Sequence, residues 1–341
     1  MQMRDDLGIT TKLENGKAYL EFVLPEKIGR LLSALQIEIW EEAEGGRLVF
    51  HGEYSSEEAD CMTALLLRPH LWDSMRDPYV YLVKAQGRFR SVEYGEKMGG
   101  MEKEEKLDSA EDITGEVEMY WRQELTIYDV RVVEKKGILL NEKEFLPHEV
   151  VYRLPPQISD AGMRVEQVRR DLERLARMGV NAIRLEGTGS GAEGVNCSEV
   201  RTFYSLCRKR GFLTGDLWIR PENLPVYRGL PGETTCQALL AADGRTLTER
   251  YYYYQAKWSS EPVLYPVLST LHRQENGLLS LTIYSNQKKM VLYVDGLLFL
   301  FQTTTSGDPE FIFEDIPVEK LPLHLAVEAG NLSISLTVSK I

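Results

Sequence analysis

A glycine-rich stretch is the first place where residue types and spacing could do chemistry. Residues 189–194 read Gly-Ser-Gly-Ala-Glu-Gly, which matches the GxGxxG pattern and lies between a predicted strand and a predicted helix. Backbone amides at such a helix start could cradle a phosphate, and Asp216 follows at the end of the next predicted strand. A lone match is weak, because a dinucleotide-binding fold needs several strand–helix–strand units. We therefore interpret this stretch as a flexible loop in preference to a phosphate site.

The histidines and cysteines show no spacing that would build a metal site. The five histidines are widely separated: His51, His70, His148, His272 and His324. His148-Glu149 resembles half of an HExxH motif, but Tyr152 stands where the second histidine is needed. The four cysteines form no CxxC pair: Cys61, Cys197, Cys207 and Cys236. We therefore predict no metal, no cofactor, and free thiols of a reducing compartment.

The elements that would position these residues occupy the middle of the chain. Apolar residues recur at steps of three and four, which places them on one helix face. They are Val165, Val168, Leu172, Leu175 and Met178. Gly179 ends this helix, and residues 180–185 follow as a short apolar strand covered on both faces. A second helix and strand extend to Leu217. Residues 220–233, rich in proline and glycine, are predicted to be irregular.

Both flanks of this segment read as β-strands. Leu35, Ile37 and Ile39 alternate with polar residues. The same alternation occurs within residues 279–284 and 332–338, near the C-terminus. Such period-two patterns, with turn signals between them, favour β-sandwiches at residues 1–135 and 251–341. The chain is predicted to be β again from Tyr251. Residues 96–118, rich in Glu, Lys and Gly, are predicted to form an exposed loop.

Composition excludes several classes of partner. The 341 residues carry a formal net charge of −12, with 43% hydrophobic and 27% charged residues. Such a balance is typical of a globular protein and argues against nucleic acid and anionic membranes as partners. No apolar run approaches membrane-spanning length, and the first residues lack the apolar core of a secretory signal. We expect a cytoplasmic protein.

Four stretches in collinear order carry a resemblance to a known family. They are residues 70–85, residues 136–145, the helix–strand pairs at 169–185 and 203–217, and residues 242–264 with 283–296. Together they resemble glycoside hydrolase family 2, the β-galactosidase and β-glucuronidase group. The resemblance implies a multidomain β and α/β protein. Residues 1–135 would be an immunoglobulin-like β-sandwich, 136–250 a truncated TIM-barrel-like (β/α) segment, and 251–341 a C-terminal β-sandwich.

The departures from the family pattern concern its catalytic residues. Only 35 positions separate Asp216, at the end of the third barrel strand, from Tyr251. Each strand–helix–strand unit takes 30 or more residues, so barrel strands four to seven cannot fit. Those strands carry the family's two catalytic glutamates, one of them in an Asn-Glu pair. The one such pair here, Asn141-Glu142, belongs to the hairpin that precedes the barrel. The resemblance therefore implies a truncated, degenerate member without a catalytic dyad.

Other carboxylates could replace the missing dyad. Retaining glycosidases need two carboxyl groups about 5–5.5 Å apart. Glu186 and Asp216 would stand at the carboxyl ends of neighbouring strands, where barrel enzymes keep their catalytic groups, and Glu149 is a third candidate. The alternative is that these carboxylates are solvated or salt-bridged at loop starts.

Three further residues are candidates for contacting a sugar. Tyr152 and Arg184 lie on the first and second barrel strands, where this chain lacks the family's own sugar-contacting residues. Trp258 follows the aromatic run at residues 251–254, whose rings could stack on a sugar. The alternative use of this run is packing between domains.

We expect a pseudoenzyme with a carbohydrate-related binding or assembly role, and carbohydrate as a partner. The alternative is a residual retaining β-glycosidase, similar to a β-galactosidase. Such an enzyme would use replacement carboxylates or would complete its site across subunits. A decayed product without selected activity is a third possibility. The exposed edge of the truncated barrel also predicts a homo-oligomer that covers it.

Overall fold

The structure, a computed structural model, describes most of the chain and divides it into two compact units. The described residues are 7–41, 46–92, 113–134, 136–155, 161–186, 197–215, 224–229, 238–304 and 307–340. Unit 1 is Met1–Phe145 and unit 2 is Leu146–Ile341. The elements are mostly β-strands with few helices, which confirms the β-rich part of the predicted fold class. The division into three domains stays a prediction.

Seven strands of unit 1 form two antiparallel sheets around one core. They are β1 (Gly8–Glu14), β2 (Lys17–Val23), β3 (Leu32–Glu41), β4 (Leu48–Ser55), β5 (Thr63–Leu66), β6 (Tyr81–Val92) and β7 (Ile113–Leu125). A short helix α1 (Glu26–Gly29) lies between β2 and β3. The sheet orders are β1-β2-β5 and β4-β3-β6-β7. Leu35, Ile37 and Ile39 of β3 are buried in the core that both sheets line, as a period of two requires.

The exposed loop predicted at residues 96–118 ends earlier than expected. Residues 93–112 lie outside the described part of the chain, but β7 begins at Ile113. It pairs with β6 from Ser91 opposite Gly115 to Tyr81 opposite Leu125, and after a shift in register Val92 lies opposite Ile113. The prediction was wrong over residues 113–118 because this pairing is tertiary and local composition does not record it.

The last three strands of unit 1 form a sheet of their own, in the order β10-β9-β8. Its strands are β8 (Val130–Val133), β9 (Gly137–Leu140) and β10 (Lys143–Phe145). Asn141 and Glu142 form the hairpin turn, with φ of 50° and 67°, a left-handed conformation that favours glycine and asparagine. The Asn141 amide accepts a hydrogen bond from the Asp129 N–H and donates one to the Trp72 carbonyl. This Asn-Glu pair is therefore a structural turn.

Five short strands of unit 2 form a parallel sheet in the order β13-β12-β11-β14-β15. They are β11 (Glu149–Tyr152), β12 (Ala182–Leu185), β13 (Leu213–Thr214), β14 (Val226–Arg228) and β15 (Ala238–Leu240). The sequence predicts three strands here and irregular chain over residues 220–233, so β14 and β15 correct both expectations. Each has three residues, too few for a periodic pattern, and each is held by pairing with a distant strand.

Three helices of unit 2 pack with this sheet. They are α2 (Ala161–Met178), α3 (Cys197–Lys209) and α4 (Glu249–Trp258). The apolar residues Val168, Leu172 and Leu175 of α2 share a core with Val150 and Ile183 of the sheet. No helix in the described part of the chain is long and apolar enough to cross a membrane.

Helix α4 overturns the prediction that the chain is β from Tyr251. Four consecutive tyrosines favour a strand by composition. In the structure, however, Tyr251 and Ala256 are buried residues of a helix, and the Tyr251 hydroxyl donates to the Arg174 carbonyl of α2 at 2.9 Å. Packing of the helix against α2 therefore overrides the intrinsic preference.

The remaining seven strands repeat the strand order of unit 1. They are β16 (Leu264–Arg273), β17 (Leu279–Ser285), β18 (Lys289–Val294), β19 (Leu297–Thr303), β20 (Glu310–Ile316), β21 (Leu323–Ala329) and β22 (Leu332–Val338). The sheets run β16-β17-β20 and β19-β18-β21-β22. In both sets the first, second and fifth strands form one sheet and the other four form the second. Leu281, Phe313 and Val327 lie in the shared core.

Candidate functional site

Arg153 and Glu186 meet at the carboxyl edge of the five-stranded sheet. Tyr152 lies opposite Leu185 in the parallel pair β11–β12, so the residue after each strand leaves the sheet at the same edge. The Arg153 guanidinium donates to both oxygens of the Glu186 carboxylate, from Nη2 to Oε1 at 3.3 Å and from Nε to Oε2. Its Nη1 also donates to the Arg228 carbonyl at 3.2 Å. This ion pair therefore joins the ends of β11, β12 and β14.

Glu149 and Arg184 form a second ion pair, on one face of the same sheet. Arg184 lies opposite Val151, which is two residues from Glu149, so strand alternation puts both charged side chains on one side. The Arg184 Nε donates to Glu149 Oε1 at 3.1 Å. The Glu149 side chain is fully buried and that of Arg184 is 14% exposed. Such a buried carboxylate depends on its partner, because an unpaired buried charge is costly.

Glu149 and Glu186 are well separated along the sheet. Glu149 lies opposite Ala182, and Glu186 lies four residues farther along that neighbouring strand. Four residues correspond to about 13 Å of strand rise. A retaining glycosidase keeps its two carboxyl groups about 5–5.5 Å apart. Asp216 and the glycine-rich residues 189–194 lie outside the described part of the chain.

A buried carboxylate that the sequence analysis missed organises the centre of the helix–sheet core. Asp171 of α2 is fully buried. Its oxygens accept hydrogen bonds from the Tyr152 hydroxyl at 2.9 Å, the Tyr227 hydroxyl at 3.0 Å, Arg228 Nη2 at 2.7 Å and Gln167 Nε2 at 2.9 Å. The available signal was its position, three residues after Val168 and four before Leu175, which places it on the apolar face of the helix.

The two tyrosines of this cluster are held as neutral donors. Burial, and then the Asp171 carboxylate, raise the pKa of Tyr152 well above its ordinary value, and the same causes raise that of Tyr227. Their rings stack with centroids 5.5 Å apart. Tyr152, a candidate for sugar contact, is thus fully buried and its hydroxyl is bonded inside the core.

Trp258, another candidate for sugar contact, packs against His148. The two rings are nearly parallel, with centroids 5.2 Å apart. The His148 Nδ1 is 2.8 Å from the Gly179 carbonyl oxygen, and burial lowers the pKa of this histidine. Trp258 also packs against Tyr254, with centroids 4.5 Å apart. These contacts tie the ends of α2 and α4 to the start of β11.

Metal-ligating side chains do not gather within the part of the chain that the structure describes. No group of three or more His, Cys, Asp or Glu residues there could hold a metal ion. Cys61 is exposed and Cys207 is buried, and both are free thiols. Burial raises the pKa of the Cys207 thiol well above its ordinary value, so this cysteine is a packed residue and a poor nucleophile.

The structure thus brings three of the predicted residues, Glu149, Arg184 and Glu186, to one sheet, where arginines engage both carboxylates. It places Tyr152 on the opposite face, towards the helices, and Trp258 on α4. Arg153, Asp171 and Arg228 are the partners that sequence reasoning did not identify. In this arrangement each of the two carboxylates is compensated by an arginine.

Comparison with known proteins supports a fold relationship. By sequence, the chain matches no protein-family model and no curated protein. By structure, it is similar to an FMN-binding β-glucuronidase from Facaelibacterium prausnitzii, with 13% identity, a TM-score of 0.61, and coverage of 99% of this chain and 74% of that one. A putative β-galactosidase from Bacteroides fragilis gives 13% identity, a TM-score of 0.63, and coverage of 97% and 72%.

A glycosyl hydrolase family 2 member from Bacteroides cellulosilyticus gives 13% identity and a TM-score of 0.59, with coverage of 98% of this chain and 63% of that one. The chain thus spans between 63% and 74% of the length of these three structures. Similarity at this identity shows the fold. The chain has a β-rich fold like that of glycoside hydrolase family 2 enzymes.

Proposed function

We propose that this chain is a non-catalytic relative of glycoside hydrolase family 2 enzymes, truncated in its barrel, that binds carbohydrate. One observation carries the non-catalytic part. Glu149 and Glu186 are each engaged by an arginine and are separated by about 13 Å of strand rise. Carboxyl groups in this arrangement cannot act on one glycosidic bond as nucleophile and acid.

The choice of carbohydrate as ligand is supported by fold likeness. The similar structures include proteins named as β-glucuronidases and β-galactosidases, whose substrates are β-glycosides. The proposed ligand class is therefore β-linked sugars.

We also propose that the chain forms a homo-oligomer in which a second copy covers the edge of the parallel sheet. At one end, Leu240 of β15 makes an antiparallel bridge to Leu247. At the other end, β13 has two residues and pairs only with β12 among the described strands. A second copy that protects this edge would bury more than about 1,000 Å². Light scattering should give a dimeric or larger mass, and a monomer at micromolar concentration would overturn the oligomer.

Hydrolysis and binding assays test the proposed function together. Pure protein is incubated with 4-nitrophenyl β-galactoside, β-glucuronide, β-mannoside and β-glucoside, and binding of the corresponding methyl glycosides is followed by saturation-transfer NMR. We expect binding of at least one glycoside and no release of 4-nitrophenol above the blank. The variants Glu186→Gln and Asp216→Asn should behave as the unmodified chain does.

Two results would overturn the proposal. Turnover that Glu186→Gln or Asp216→Asn abolishes would establish the alternative, a residual retaining β-glycosidase built on replacement carboxylates. Absence of binding to every glycoside, by protein that is folded by circular dichroism, would remove carbohydrate as the ligand.

A further inference from the structure

An open groove lies in unit 2 where α4 meets the strands β17 and β20. It encloses about 720 Å³, within the range of small-molecule sites. Its lining residues are Thr248, Glu249, Arg250, Tyr253, Tyr254, Tyr284 and Glu310. We call this the α4 groove. It lies away from the carboxyl edge of the parallel sheet, and none of its residues belongs to the ion pairs described above.

Helical spacing produces one wall of the α4 groove. Glu249 and Tyr253 are four residues apart, as are Arg250 and Tyr254, so these side chains share one face of α4. Tyr251 and Ala256, by contrast, are the buried residues of this helix. The four groove side chains of the helix are only half-buried, so this wall keeps polar and aromatic groups partly exposed.

Sheet register produces the opposite wall. Tyr284 of β17 lies directly opposite Glu310 of β20 in an antiparallel pair. The Tyr284 ring meets Tyr253 of the helix edge to face, with centroids 5.4 Å apart and an interplanar angle of 78°. Helix and sheet thus hold two half-buried tyrosines at nearly right angles, which presents ring surfaces in two orientations.

The polar groups of the α4 groove are partly committed and partly available. Glu249 is oriented by Ser269, whose N–H donates at 3.1 Å and whose hydroxyl donates at 2.6 Å. Among the described residues, no hydrogen bond engages the hydroxyls of Tyr253 and Tyr284 or the carboxylate of Glu310. Burial and the nearby carboxylates of Glu310 and Glu249 raise the pKa of Tyr284, which keeps its hydroxyl a donor.

We propose that the α4 groove binds a neutral β-linked pyranoside. A pyranose ring has C–H faces that pack on tyrosine rings and hydroxyls that need both donors and acceptors. The groove supplies those donors and acceptors through Glu310, Tyr253 and Tyr284, with the Arg250 guanidinium beside Tyr254. Two carboxylates against one arginine disfavour a phosphate or another anion.

This assignment rests on the proposed carbohydrate-binding function and gives it a location. It also assigns a use to part of the aromatic run at residues 251–254. Tyr251 packs in the core and Tyr252 stacks on Tyr265 with centroids 3.8 Å apart, whereas Tyr253 and Tyr254 line the groove. The run therefore serves both packing and, on its exposed side, recognition.

The experiment compares groove variants with matched surface controls. Binding of methyl β-glucoside, β-galactoside and β-mannoside is measured by saturation-transfer NMR and titration calorimetry with the full chain. The variants are Glu310→Gln and Tyr284→Ala. Their controls are Glu314→Gln, an exposed glutamate on the same strand, and Tyr120→Ala, an exposed tyrosine of β7. Circular dichroism establishes that each variant is folded.

We expect Glu310→Gln and Tyr284→Ala to weaken binding at least about tenfold, the usual effect of losing one good partner, while both controls bind as the unmodified chain does. Should Tyr284→Ala fail to fold, Glu310→Gln decides alone, because its side chain is exposed. If the unmodified chain binds and the groove variants bind equally well, the α4 groove is wrong and carbohydrate binding stands. If the unmodified chain binds none of these sugars, the α4 groove assignment is overturned, and the proposed function falls with it when methyl β-glucuronide also fails to bind.

Discussion

The Nε atom of Arg184 lies 3.1 Å from Oε1 of Glu149, across two neighbouring parallel strands at the centre of the five-stranded sheet. Both residues are among the candidate site residues that the sequence alone suggests. The fully buried carboxylate is compensated by the arginine, so the pair fixes the register of β11 and β12. The pair therefore contributes to the stability of the sheet.

Removing the arginine of this pair should destabilise the protein strongly. We expect Arg184→Met to lower the free energy of unfolding by about 3–5 kcal/mol, because it removes the ionic partner of a buried carboxylate. Urea denaturation measures the effect. Arg30→Met is the control, since Arg30 and Glu26 form an exposed pair whose loss should cost less than about 1 kcal/mol. Equal effects of the two substitutions would contradict a structural role for the buried pair.

Neutralising Asp171 should loosen the helix–sheet core. Asp171→Asn keeps the shape of the side chain. The carboxylate, however, has two oxygens that accept hydrogen bonds, and the amide has one. The loss should be about 3–5 kcal/mol, because the buried Arg228 guanidinium loses its carboxylate. Glu173→Gln on the same helix is the control, since the Glu173 side chain is 46% exposed. A stability loss for Asp171→Asn as small as that of Glu173→Gln would refute the cluster.

His148 should make the protein less stable in mild acid. Burial lowers the pKa of His148 from its ordinary 6.5. The unfolded chain therefore binds a proton before the folded chain does, so stability is complete above pH 6.5 and falls as the pH drops towards the folded pKa. We expect His148→Phe to flatten the decline in Tm between pH 7 and about 5. His51→Gln, at an exposed position, should leave the slope unchanged, and identical slopes for all three proteins would exclude this role.

Gly179 should be intolerant of a side chain. Its φ is +88°, and a Cβ atom there would lie 2.4 Å from the carbonyl oxygen of Trp258. Gly137 has a similar φ of +78° with nothing within 4 Å of its Cβ position. Gly137→Ala should therefore cost only the conformational penalty of about 1–2 kcal/mol, and Gly179→Ala should cost clearly more. Thermal denaturation of both variants checks this, and equal losses would show that the backbone shifts freely.

Several elements could be predicted because their signal is local. The alternation of Leu35, Ile37 and Ile39 records a strand with one buried face, and these residues are buried in β3. The three- and four-residue spacing from Val168 to Met178 records an amphipathic helix, and α2 occupies that stretch. In both cases the repeat extends beyond one turn or pleat, so the local sequence is enough to predict the element.

Other features depend on partners far along the chain. Strand β14 has three residues and is held by one register pair with β11 and two with β15, so no pattern in its own sequence distinguishes it from loop. The α4 helix contradicts the preference of its tyrosines, because contacts with α2 and β17 decide its conformation.

The sequence by itself determined the strand-rich flanks, the central helices and the identity of the carboxylates that could do chemistry. Only the tertiary structure decided which side chains those carboxylates contact. Arg153 and Glu186 are 33 positions apart, and Glu149 and Arg184 are 35 positions apart. A charge separated from its partner by such a distance cannot be assigned as catalytic or compensated until parallel strands bring the two ends together, because pairing energy depends on distance in space and burial.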